Sequence, residues 1–146
     1  EEILSLPYKK ECDPLLHSFK SAKPPKRLLA LLQSNELFSF LAAVTGEDVL
    51  SLSPSVLCIG WKDYTLINDK AVEKPGIDVI LDFSDDWDDA WGGSIVYAPG
   101  TGDVTRIAPS GNTLIIVERK SGVNRFVQYI NHHAGKKTRC FVIATV

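Results

Sequence analysis

The sequence predicts a mainly β domain behind N-terminal helices, a jelly-roll barrel of the cupin-like kind. Three observations predict it. Eight short runs between residues 55 and 145 are apolar or alternate with a period of two. Gly-, Pro- and Asn-containing turns separate them at regular spacing, as in all-β sandwiches and barrels. Residues 28–44 instead repeat leucine and phenylalanine at helical spacing. Closing antiparallel strands into a jelly roll removes most exposed edges.

In chain order, residues 1–27 are broken by Pro7, Pro14, Pro24 and Pro25 and read as a connector. Asp13 could cap a short helix over Pro14–Lys20. The basic stretch Lys23–Arg27 reads as a linker, with docking or nuclear targeting as the sharper alternative. Leu28 to Val44 predicts two helices divided at Ser34-Asn35, the second capped there and stopped by Gly46. Its leucine stripe is expected to pack on a sheet. Strands are expected over 55–59, 60–67, 77–83, 94–98, 104–107, 113–118, 125–130 and 140–145, with turns at 99–102 and 109–112. The resulting division is a lead-in, 1–27, and one domain, 28–146.

The chain has 146 residues, 45% hydrophobic and 23% charged, with net charge −2. That size supports a core without staples. The balance gives no reason to expect nucleic-acid binding. No apolar run approaches the roughly 18 residues of a membrane helix. Glu1 and Glu2 stand where a secretory leader would be basic, so none is expected. The absence of Met suggests an excised fragment of a longer protein. Cys12, Cys58 and Cys140 form no CxxC pair, and Cys58 and Cys140 are expected as inert core thiols in a reducing compartment.

Asp82, Asp85, Asp86, Asp88 and Asp89 crowd the segment between two strands, with Trp87 and Trp91 among them. A calcium loop would need a central Gly and a late Glu, which are missing. A glycosidase would need two carboxylates across a cleft. A solvated loop or a partner surface formed by Asp85, Asp86, Trp87, Asp88 and Asp89 fits better. Asn131-His132-His133 reads as a hairpin loop, since adjacent strand residues face opposite ways. No GxSxG elbow or phosphate-binding loop is present.

WDDAWGGSIVY, residues 87–97, resembles the phrase WxxxxGGxLxLY that follows an acidic loop in prolyl-hydroxylase-type 2-oxoglutarate/iron(II) oxygenases. LLALLQSNELFSFLAAVTG, YTLIND, IAPSGNTLIIVER, RFVQYI and TRCFVIATV are similar, in order, to the pre-barrel helix, the first ligand segment and later barrel strands of that superfamily. The likeness covers residues 28–146. It is greatest to the C-terminal domain of two-domain ribosomal prolyl hydroxylases, including fungal oxygen-sensing members.

The resemblance implies a double-stranded β-helix whose metal site has been lost. His-x-Asp falls on Asn68 and Lys70, and the distal His near Arg125 or Phe126. Iron(II) and 2-oxoglutarate are then expected only in an N-terminal sister domain, with no cofactor here. It also implies a regulatory role, promoting oxygen-dependent degradation of a transcription factor, as in hypoxia sensing, in nucleus and cytoplasm. Expected partners are the sister domain, a client (transcription factor or translation protein) and an inhibitory regulator, with no direct nucleic acid and no membrane. Arg139 stands where active members bind the cosubstrate carboxylate, and could equally pair with a loop aspartate. The alternatives are an active oxygenase using Asp69 with His132 or His133, and a metal-free small-molecule binder.

Overall fold

The computed structural model describes residues 2–67 and 74–146. Asn68, Asp69 and Lys70 lie outside the described residues. Ten strands and two α-helices are present among the described residues. The strands are β1 (Lys9–Asp13), β2 (His17–Ala22), β3 (Ser53–Gly60), β4 (Tyr64–Thr65), β5 (Gly76–Asp82), β6 (Ile95–Pro99), β7 (Thr105–Ile107), β8 (Thr113–Arg119), β9 (Val123–Val127) and β10 (Thr138–Thr145). The helices are α1 (Lys26–Leu32) and α2 (Asn35–Thr45).

All pairings are antiparallel. The major sheet runs β1-β2-β3-β10-β5-β8, with β4 also on β2; the minor sheet runs β7-β6-β9. The fold is mainly β, a double-stranded β-helix.

Period-two alternation divides two cores. On one face of the major sheet, Val56, Ile77, Val79, Val142 and Ala144 meet Leu28, Leu32 and Leu41 of the helices. On the other, Ile59, Ile80, Phe141 and Ile143 meet Ile95, Tyr97, Val123 and Val127 of the minor sheet. The second core is the inside of the barrel. The leucine stripe is only partly core: Leu31 and Phe40 are about half exposed.

Local signals place the helices. Ser34 Oγ accepts the Leu37 N–H at 3.2 Å, and Gly46 stops α2 at φ 77°.

Residues 9–22 correct the expected connector and its helix. Asp13-Pro14 opens a turn instead of capping a helix. Leu16 N–H donates to Asp13 O at 2.9 Å and Leu15 N–H to Asp13 Oδ1 at 3.0 Å. Asp followed by Pro suits the first two positions of a type I turn as well as a helix start. The strands on either side, β1 and β2, pair along their length, and β2 continues onto β3. Buried Asp63 secures the hairpin, accepting from Ser18 Oγ at 2.7 Å and Gly60 N–H at 2.9 Å and pairing with Lys10. The expected strand over 60–67 is reduced to β4 by a turn at Trp61-Lys62, where Lys62 has φ 72°.

The cysteines differ too. Cys58 and Cys140 face each other in the β3–β10 register and form a disulfide, while Cys12 is free and exposed. They are core residues as expected, but not thiols.

Candidate functional site: the polar interior of the barrel

Strand β5 is apolar except at Asp78 and Asp82, which share the barrel-facing side with Ile80. Both are buried. Carboxylates so placed demand partners, and two networks supply them.

At one end, Arg139 of β10 is 0% exposed. Its Nη2 donates to Asp82 Oδ2 at 2.8 Å, its Nε to Ser84 Oγ at 3.2 Å, and its Nη1 to Gly93 O. The guanidinium also lies 4.7 Å from the Phe141 ring. Asp82 accepts further bonds from Ser84 N–H at 2.9 Å, Ser110 N–H at 3.0 Å and the Ser84 hydroxyl. Burial alone would raise the Asp82 carboxyl. The Arg139 charge and the Ser84 and Ser110 donors outweigh it and hold the carboxyl below its ordinary 3.8. Its folded value therefore lies below its unfolded value. The stability it contributes is complete above pH 3.8 and is lost as pH falls through the folded value. Urea midpoints followed downward from pH 5 should drop more steeply in the wild type than in a chain carrying Asp82→Asn.

At the other end, Asp78 accepts four bonds. Arg119 Nε (2.9 Å) and Thr145 Oγ1 (2.9 Å) donate to Oδ1; Arg125 Nη1 (2.7 Å) and the Tyr97 hydroxyl (2.8 Å) donate to Oδ2. Arg125 also reaches Thr145 Oγ1 at 3.2 Å. Burial first, and then the Asp78 charge, push the Tyr97 phenol well above its usual value, so it stays a donor.

Arg139, considered for a cosubstrate carboxylate, holds the chain's own Asp82. Of the two residues expected near the distal ligand position, Arg125 is a cation bonded to Asp78 and offers a metal no lone pair, and Phe126 is an apolar wall of a cavity. His132 and His133 sit exposed in a 3-10 turn, His132–Ala134. Among the described residues no three His, Cys, Asp or Glu group as a metal needs. Beside Arg125 lies a cavity of about 250 Å³, walled mainly by Phe19, Leu57, Phe126, Phe141 and Ile143.

The acidic loop divides. Asp82 belongs to the interior. Asp88 accepts the Ala90 N–H at 2.9 Å, and Asp89 takes both Arg106 Nη groups at 2.5 and 3.0 Å. Asp85 and Asp86 are exposed, and their carboxylates bond to no described residue. Those two line a cleft of about 790 Å³ with Glu2, Leu4, Trp87 and the turn Pro109–Asn112. Trp87 and Trp91 meet edge to face at 5.4 Å, and Trp87 Nε1 donates to Gly92 O at 2.9 Å. Gly92, at φ 87°, leaves no room for a side chain: a Cβ there would lie 2.2 Å from Tyr129 O. Gly92→Ala should cost about 2–3 kcal/mol in chemical denaturation, since backbone must move.

Sequence reasoning missed Asp78. The signal was available: two aspartates four residues apart, on one face of an otherwise apolar strand.

No protein of curated function matches the chain. Among solved structures, a 2-oxoglutarate/iron(II) oxygenase-family oxidoreductase from Burkholderia pseudomallei superposes with TM-score 0.73 at 13% identity, covering 97% of this chain and 73% of that one. A prolyl 4-hydroxylase from Pseudomonas putida gives TM-score 0.65 at 10% identity, over 93% and 75%. A Trichoplax adhaerens prolyl hydroxylase, solved with a hypoxia-inducible factor oxygen-degradation-domain peptide fragment, gives 0.62 at 12%, over 94% and 69%. These likenesses show the double-stranded β-helix fold. The sequence profile of the oxoglutarate and iron-dependent oxygenase degradation C-terminal domain matches residues 6–145, and the chain belongs to that family.

Proposed function

We propose that this domain binds and regulates, and does not oxidise. It serves a two-domain prolyl hydroxylase whose N-terminal sister domain carries iron(II) and 2-oxoglutarate. The observation that carries this reading is the self-paired barrel interior: Arg139 is bonded to Asp82 and Arg125 to Asp78. In this reading the groups that would receive an exogenous carboxylate are already committed to the chain's own.

The domain's work is contact with the sister domain, with a client bound for oxygen-dependent degradation, such as a transcription factor or translation protein, and with an inhibitory regulator, in nucleus and cytoplasm. The degradation-domain family supports this, as do the two carboxylates of Asp85 and Asp86 beside Trp87. Titrating the chain with manganese(II) or iron(II), with 2-oxoglutarate present, should leave no stoichiometric metal after desalting and no succinate formed. Retained metal with turnover would overturn the proposal.

The apolar cavity beside Arg125 favours a second reading, a metal-free small-molecule binder. That reading requires saturable binding of an apolar fluorophore, displaced when Phe126→Trp fills the cavity.

A further inference from the structure

A sheet edge left open presents unpaired N–H and C=O groups to any extended chain. The edge strands, β1 and β8 of the major sheet and β7 and β9 of the minor sheet, treat that liability differently. β9 has Val127 N–H donating to Thr65 Oγ1 at 2.6 Å. β1 carries Lys9, Lys10, Glu11 and Asp13, charges that discourage pairing. β7 is three residues long, and its Arg106 is engaged by Asp89. β8 is seven residues, TLIIVER, apolar and β-branched through its centre. Among the described residues it pairs only with β5, and no backbone hydrogen bond outside that ladder involves residues 113–118.

Side chains along this edge are also incompletely covered. Leu114 is 44% exposed, and Ile115, Ile116 and Val117 are partly so. Ile116 packs towards the helical layer, Ile115 and Val117 towards the barrel. A strand added here would find apolar neighbours on both faces.

The acidic cleft adjoins this edge. Ser110, Gly111 and Asn112 line it and lead directly into Thr113. Its other walls bring Asp85 and Asp86, together with Glu2 and Trp87.

We propose that the open edge of β8 and the acidic cleft at its N-terminal end form one strand-addition site for an extended peptide. The peptide carries an alternating apolar run followed, on its C-terminal side, by basic residues. The direction follows from the sheet, in which every pairing is antiparallel. An antiparallel partner runs opposite to β8, so its C-terminal end leaves past Thr113 into the cleft. Main-chain bonds supply affinity, alternate side chains and the cations supply selection. The inference rests on the binding role proposed above and names the class of partner.

The test uses a fluorescein-labelled peptide, Thr-Val-Thr-Val-Thr-Lys-Lys-Arg, and anisotropy on the 146-residue chain. Binding should be saturable and weaken with salt. The same peptide N-methylated at alternate residues should not bind, and the order-reversed Lys-Lys-Arg-Thr-Val-Thr-Val-Thr should bind more weakly. Asp85→Asn with Asp86→Asn should weaken binding about tenfold, as the loss of two exposed charge pairs implies. Leu114→Lys should weaken it without altering the unfolding midpoint.

Equal binding of the N-methylated peptide would reduce the site to charge alone and overturn the proposal. Dimerisation abolished by Leu114→Lys would also overturn it, making a second copy the occupant. Absence of peptide binding by a chain that retains no metal would sink this inference alone. Metal retention with turnover would sink the regulatory reading on which it rests.

Discussion

Arg139→Ala is expected to destabilise the domain by about 3–5 kcal/mol, the range found when one partner of a buried ion pair is removed. Arg139 is 0% exposed and Asp82 1%. The substitution strips Asp82 of its countercharge and Gly93 O of its donor, and leaves a void against Phe141. Ser84 and Ser110 still donate to Asp82, but hydrogen bonds from neutral groups offset only part of the burial of a charge. The urea midpoint measures the loss. The double variant Arg139→Met with Asp82→Leu supplies the control: exchanging both members of a buried pair for apolar groups is often neutral. It should recover most of the lost stability. If single and double variants fall equally, the two residues are not coupled and the account of this network is wrong.

Asp78→Ala should cost a comparable amount, about 3–5 kcal/mol, for a different reason. Here the carboxylate is the hub. Arg119, Arg125, Tyr97 and Thr145 all donate to it, and β5, β6, β8, β9 and β10 meet through it. Asp78→Asn should lie between wild type and Ala, because the amide keeps one acceptor oxygen but loses the charge. Midpoints ordered wild type, Asn, Ala would support the hub. An Ala variant as stable as wild type would show that the donors find other partners without cost. Tyr97→Phe, which removes one donor and leaves the charge paired, should cost only about 1 kcal/mol.

What the sequence revealed depended on how far apart the deciding atoms lie. Ser34 and Gly46 fix the ends of α2 through contacts within a turn, and both were legible. The strands from β5 onward were legible as well, since alternation needs no knowledge of neighbours. The N-terminal hairpin was not, because Asp13-Pro14 suits a helix start and a type I turn equally; the outcome is settled by pairing with β3, some 35 residues on in the chain. The disulfide spans 82 residues, and only the β3–β10 register brings its halves together. For the site, the family likeness pointed to Arg125 and Arg139, and the pairing of Arg139 with an aspartate of the acidic segment was legible as an alternative; that the aspartate is Asp82, and that Arg125 holds Asp78, was not. Partner identity required the third dimension: Asp82 sits 57 residues from Arg139, and Asp78 sits 47 from Arg125.

Asp78 and Asp82, on one face of one strand, also bear on how such a chain can change over time. Arg139 lost from β10 leaves Asp82 on β5 without its countercharge, and Asp82 lost from β5 leaves Arg139 without its own. Either step alone passes through a poorly folded intermediate; both together need not. Substitution inside this barrel should therefore proceed by pairs, with positions 82 and 139 drifting as one unit and position 78 tied to 97, 119, 125 and 145 as another. Exposed Asp85 and Asp86, whose carboxylates bond to no described residue, are under no such joint constraint.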